Sequence, residues 1–363
     1  MCGCQNEEKR CPYQDSRHTL IIYMGGDNNL SAETSDKLNA IQAFAQNSSK
    51  VRSGEINILI YQDSKEQPKL YKGHYGTQEA ELLTTYSQEN SASPEVFQRV
   101  LQDCVRYAPA NNYGLIVFSH ASGWLPEGTL NNPSGNVNSR SLITDGASEM
   151  DIKDFANAIP DGMFEYIVFE ACFMAGVEVA YELKDKTEYM VGSAAEMLSP
   201  GFTDIYPEIL AGLCDTSAST EHKLINLAKT YFSHYDSQNG QTRSATISVI
   251  RTDKLDRLAQ AVKTTISYQN ANTQSVQHFD RNTYHLFFDL GDYLEQAKDS
   301  SAEEIRLLIR EAVVYQQATP TFMPLYGGFT INKHSGLTTY IEQKEFPYLN
   351  RKYKELKWAK TLY

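Results

Sequence analysis

The feature that most constrains this chain is a set of short apolar runs that stop abruptly at polar residues. The sharpest is F-E-Y-I-V-F-E-A-C-F-M-A-G over 164–176. Tyr166-Ile167-Val168-Phe169 has the length and the β-branched, aromatic content of a strand buried on both faces, although periodicity alone does not separate it from a buried helix. It ends at Glu170-Ala171-Cys172. Open α/β sheets bind ligands outside the carboxyl ends of their strands, so a thiol there is placed for chemistry. Taken alone, Cys172 reads more readily as a small buried hydrophobe.

A second run alters that balance. Y-G-L-I-V-F-S-H-A-S-G-W over 113–124 passes from the apolar Leu115–Phe118 to polar and small residues, and His120 is the first of these able to act as a base. The interval between the two runs accommodates a crossover helix between parallel neighbours. A thiol and an imidazole at adjacent strand ends are the minimum for covalent acyl transfer. By itself His120 is equally an ordinary loop histidine.

Ser119-His120-Ala121-Ser122-Gly123-Trp124 and Glu170-Ala171-Cys172-Phe173-Met174-Ala175-Gly176 resemble the histidine and cysteine motifs of the clostripain-type cysteine peptidases. Those belong to the caspase-like clan, with gingipains and legumains. Tyr23-Met24-Gly25-Gly26-Asp27-Asn28-Asn29-Leu30 resembles a family motif that follows the first strand. The resemblance implies an α/β fold: a caspase-like, mostly parallel sheet flanked by helices, with a helical C-terminal extension. It implies Cys172 as nucleophile, His120 as base, and the N–H groups of Ala121 and Cys172 around the oxyanion. It also implies a substrate pocket lined by Glu170, Glu196 and Trp124. Two positions depart from the pattern. Ala121 stands where the clan usually has Gly, which keeps the N–H an oxyanion needs. Glu170 stands where the family usually has Asp, which keeps the charge on a longer arm.

The activity implied is a cysteine endopeptidase that cuts peptides or proteins after Arg, and also Lys. Arg meets a pocket carboxylate through two charge-assisted contacts and Lys through one, with Glu170 as the primary determinant. The alternative is a catalytically inactive caspase-like binding module displayed at the cell envelope, and Ala121 keeps it open. A serine hydrolase of the α/β type would carry G-x-S-x-G, which is absent. No cofactor is expected. Clostripain itself is associated with calcium, but no D-x-D-x-D-G loop occurs and the histidines have no metal-ligand spacing.

Composition bounds the rest. The 363 residues are 41% apolar and 21% charged, as in globular proteins, and the net charge of −12 argues against non-specific nucleic-acid binding. No apolar run approaches the ~18 residues of a membrane helix. Cys2, Cys4 and Cys11 crowd a polar N-terminus, M-C-G-C-Q-N-E-E-K-R, that looks like the part following the hydrophobic segment of a bacterial lipoprotein signal. On that reading Met1 is an added start residue, Cys2 or Cys4 carries a lipid, and the protein is at the cell envelope or secreted. An ordinary disordered tail is the equal alternative.

Three parts are expected: a tether at 1–17, a peptidase domain at 18–269, and a helical, aromatic C-terminal part at 270–363 packed on it. Parallel strands are expected near 19–24, 56–61, 115–118, 166–169 and 189–192, with a further strand at 246–250. A hairpin is expected at 70–75 and 82–86. The C-terminal part should open with a polar linker at 270–283 and include a helix at 302–316. A helix from Gly176 should favour the Cys172 thiolate through its dipole. The loop 125–141 is polar and rich in Gly, Asn and Pro, the composition of a nicking site. The resemblance to clostripain-type enzymes implies self-cleavage between the two motifs, and Arg140, the only basic residue between His120 and Lys153, is the expected site; an uncut flexible loop is the equal alternative.

Overall fold

The computed structural model describes residues 16–126, 128–134, 143–145, 148–265, 273–296 and 302–363. Each buried apolar run forms a strand of one nine-stranded sheet. In chain order these are β1 (Ser16–Gly25), β2 (Ile56–Asp63), β3 (Lys69–Lys72), β4 (Glu81–Thr85), β5 (Ala110–Phe118), β6 (Phe164–Glu170), β7 (Thr187–Gly192), β8 (Thr246–Arg251) and β9 (Val313–Ala318). They lie in the order β9-β8-β7-β6-β5-β1-β2-β3-β4. The five strands from β2 to β7 through β1, β5 and β6 are mutually parallel. Antiparallel strands finish both edges: the β3–β4 hairpin on one side, β8 and β9 on the other.

Successive strand residues point to opposite faces, and each face has its own core. Leu20, Ile22 and Met24 of β1 pack with Ile116, Tyr166 and Val168 under the helices Ser31–Ala45 (α1), Tyr206–Leu213 and Thr220–Asp236. Ile21 and Tyr23 pack with Val117, Ile167 and Phe169 against Pro94–Tyr107, Ile152–Ala158 and Val177–Leu183. Pro94–Tyr107 begins as its sequence dictates, with Ser93 accepting from Val96 N–H and proline in the first turn.

Two boundaries differ from expectation. β1 begins at Ser16, so Ser16 and Arg17, placed in the tether by sequence, belong to the sheet, with Ser16 beside Ala110 of β5. The helix expected over 302–316 stops at Ala312, and Val313-Val314-Tyr315 continues as β9. Two β-branched residues and an aromatic favour a pleated, half-buried surface, and β8 offers an open edge there. The C-terminal part therefore contributes a strand to the main sheet as well as helices. No helix among the described residues is long and apolar enough to cross a membrane.

Candidate active site

In the β5–β6 register Phe118 is the partner of Glu170. His120 and Cys172 each lie two residues beyond that pair, at the carboxyl ends of adjacent parallel strands. Both line one cavity of 340 Å3, together with Asn29, Leu30 and Glu33 after β1, Glu196–Ser199 after β7, and Arg281 from the C-terminal part. The residues that turn the chain behind the thiol are tightly fixed. Phe173 has a left-handed backbone, φ 60°, which a bulky residue adopts only under constraint. Its N–H donates to Ala195 O, its ring stacks on Phe287, and Ala175 N–H donates to Ser193 O. Gly123 faces this turn at φ 65°, where a Cβ would press into Phe173 O.

The imidazole of His120 bonds through Nε2 to Asn29 Oδ1 at 2.7 Å. An amide oxygen only accepts, so the proton sits on Nε2 and Nδ1 is left as the basic atom. Burial lowers the His120 pKa, with the Glu33 carboxylate pulling the other way. The Cys172 thiol is half-buried and accepts from Met197 N–H at 3.3 Å. Burial pushes it up to about 11, against the lowering effect of that N–H. Burial outweighs that N–H, so the surroundings of the thiol favour its neutral form over the thiolate expected from the helix Val177–Leu183 that follows it.

Glu170 lines the cavity as expected, but not as a free acid. Its side chain is buried, and Lys37 Nζ, buried as well, reaches Oε1 at 2.5 Å. Phe202 N–H also donates to Oε1, and the Tyr206 hydroxyl donates to Oε2 at 2.7 Å. Gly201, at φ 63°, leaves room for this carboxylate where a Cβ would overlap it. Lys37 is further held by Pro200 O and Thr203 Oγ1, each at 2.9 Å, and lies over the Phe118 ring. Glu170 touches the cavity as a neutralised ion pair, so it is not the free acid that a substrate cation would meet. Glu196 does line the cavity, but Arg281 Nε and Nη2 grip it at 2.6 and 2.8 Å. Trp124 is also corrected: it is buried against Tyr340 and Tyr353 and does not line the cavity. Arg140 lies outside the described residues.

Sequence reasoning missed Asn29, Lys37 and Arg281. Asn29 stood in the motif after the first strand. Lys37 shares a helical face with the buried Thr34, Ile41 and Ala45, a position where a lysine needs a partner. Arg281 came from a stretch read as linker and left no local signal. The loop carrying it is pinned by the buried Asp280, whose Oδ2 accepts from Leu286 and Phe287 N–H. His278 and His285 flank that carboxylate. His278 commits Nδ1 to the backbone oxygen of Asp280 and His285 commits Nδ1 to its Oδ1, and the two rings stack at 3.4 Å.

The sequence profile of the Clostripain family matches residues 22–360, nearly the whole chain. The chain belongs to the clostripain family. It is accordingly a cysteine protease. An inactive zymogen C11 protease from Parabacteroides distasonis is 29% identical, with a TM-score of 0.82 over 96% of this chain and 99% of that one. A secreted C11 cysteine protease from Bacteroides thetaiotaomicron, bound to an irreversible peptide inhibitor, is 25% identical, with a TM-score of 0.81 over 96% and 99%. A clostripain from Bacteroides thetaiotaomicron, in complex with the peptide inhibitor BTN-VLTK-AOMK, is 27% identical, with a TM-score of 0.51 over 60% and 96%. No curated protein sequence matches the chain. Membership of the clostripain family accounts for the caspase-like sheet order and for peptides or proteins as the substrate class.

Proposed function

We propose that this clostripain-family protease is an endopeptidase that cleaves after basic P1 residues through Cys172 and His120. The observation that carries the reading is the shared cavity, onto which a thiol and a properly tautomerised imidazole open from neighbouring strand ends. Because the resting thiol is neutral, attack is coupled to proton transfer. Sγ bonds to the scissile carbonyl carbon, the thiol proton passes to His120 Nδ1, and the carbonyl oxygen becomes the oxyanion. The N–H groups of Ala121 and Cys172 have no acceptor among the described residues and are available to hold it. Collapse breaks the C–N bond, and His120 returns the proton to the leaving amine. A water that gives its proton to His120 then hydrolyses the thioester, and that proton finally restores the thiol.

Preference for a cation is supported by the carboxylates around the cavity and by the inhibitor of the 27%-identical clostripain, whose VLTK peptide ends in lysine. Self-cleavage after Arg140 in the 125–141 loop and an N-terminal lipid tether at the cell envelope complete the proposal. They rest on the loop's composition and on the cysteines near the N-terminus. A fluorogenic peptide with P1 Arg or Lys tests the core of it. The protein should release fluorophore and Cys172→Ala should not. Equal turnover by both proteins would overturn Cys172 as the nucleophile, and none by either after the 125–141 loop has been cut would leave the binding-module reading in its place.

A further inference from the structure

Three carboxylates face the cavity of Cys172 and His120: Glu33, Glu170 and Glu196. Lys37 neutralises Glu170, and Arg281 neutralises Glu196. Glu33 is different. Among the described residues it has no cation within ion-pair distance, and the partner of its Oε1 is the Ser199 hydroxyl. The cavity therefore carries one uncompensated negative charge, and it sits on the first turn of α1, half-buried, on the wall shared with Asn29 and Leu30.

From this charge balance we infer that Glu33, and not Glu170, is the residue that recognises a basic P1 side chain. The inference rests on the basic-P1 reading above and names the atom group that performs it. With Ser199 holding Oε1, Glu33 keeps Oε2 and further lone pairs for an incoming guanidinium or ammonium. A cation there would meet a charge that no cation among the described residues already satisfies. At Glu170 it would have to displace a buried lysine, and at Glu196 a two-pronged arginine. Glu33 also acts electrostatically on His120, which puts it near the reacting groups. An acid in the first turn of a helix also complements the helix dipole. That role would alter stability and leave selectivity alone, so the test reads selectivity.

The full chain is assayed with paired fluorogenic peptides that differ only at P1: arginine against citrulline, its neutral near-isostere. In the unmodified protein the ratio of kcat/KM values favours arginine. Glu33→Gln should lower that ratio by about 10- to 100-fold, the worth of one charge-assisted pair, with the loss carried mainly by KM. Glu33→Asp, which keeps the charge, should restore part of it. Glu196→Gln should lower the ratio far less than Glu33→Gln. A Glu33→Gln ratio within about threefold of the unmodified protein's overturns the inference while the basic-P1 reading stands. An unmodified protein that cleaves both peptides equally overturns the basic-P1 reading itself. Melting curves and alkylation of Cys172 in each variant separate a misfolded protein from one that has lost recognition.

Discussion

A lysine with no exposed surface is tolerable only when every donor is matched and its charge is met, and Lys37 satisfies both conditions through Glu170, Pro200 and Thr203. Removing one partner strands the other. Glu170→Ala or Lys37→Ala should each destabilise the fold by about 3–5 kcal/mol, and Lys37→Met with Glu170→Leu should recover much of the loss. Urea denaturation of the two singles and the double checks this. If Glu170 were instead a solvated pocket acid, Glu170→Ala would cost little stability. The neutral thiol makes a second prediction. With Cys172 pushed up to about 11, site-resolved iodoacetamide labelling should accelerate about tenfold per pH unit between pH 7 and pH 10. A plateau already reached near pH 6 would mean a preformed thiolate. At this scale Cys172 and His120 were legible because each ends an apolar run. The neutralisation of Glu170 was not, because Lys37 lies far away in sequence and meets it only after α1 has docked.

Between elements, the most telling contact joins the helix Val177–Leu183, just past the nucleophile, to the segment Thr338–Tyr340. Glu178 Oε1 accepts from Thr339 Oγ1 and Tyr340 N–H, both at 2.8 Å, and Thr338 N–H donates to Ala175 O. Burial raises the Glu178 carboxyl from 4.5 to about 7. A raised folded-state pKa means the native protein binds this proton more tightly than the unfolded chain does. The stabilisation is thus fully present below pH 4.5 and is lost as pH rises through about 7. Between pH 4.5 and pH 8 the unmodified protein should lose, relative to Glu178→Gln, on the order of 3 kcal/mol of unfolding free energy. Parallel pH–stability curves for the two proteins would refute this assignment. Most strands and helices were legible from periodicity and caps, as at Ser93-Pro94. Where the reading failed, at 313–316, the residues suit either state, and the open edge of β8 decides between them.

Across the whole molecule, the parallel sheet could be anticipated from alternating apolar runs and helical stretches. The topology then delivers β1, β5, β6 and β7 to one rim, and that is why residues from 29 to 199 meet in one cavity. The contribution of the C-terminal part could not be anticipated. β9 extends the sheet, Thr338–Tyr340 braces the nucleophile loop, and Arg281 enters the cavity, all through contacts between residues far apart in the chain. Catalysis at that rim requires Cys172 Sγ to be the attacking atom. Treating the loop-cut protein with a peptidyl acyloxymethyl ketone ending in arginine, then mapping the product by mass spectrometry, reads this directly. One adduct, confined to Cys172, absent from Cys172→Ala and formed far more slowly by His120→Ala, is the predicted result. An adduct of equal yield in Cys172→Ala, or one located on another cysteine, would contradict it.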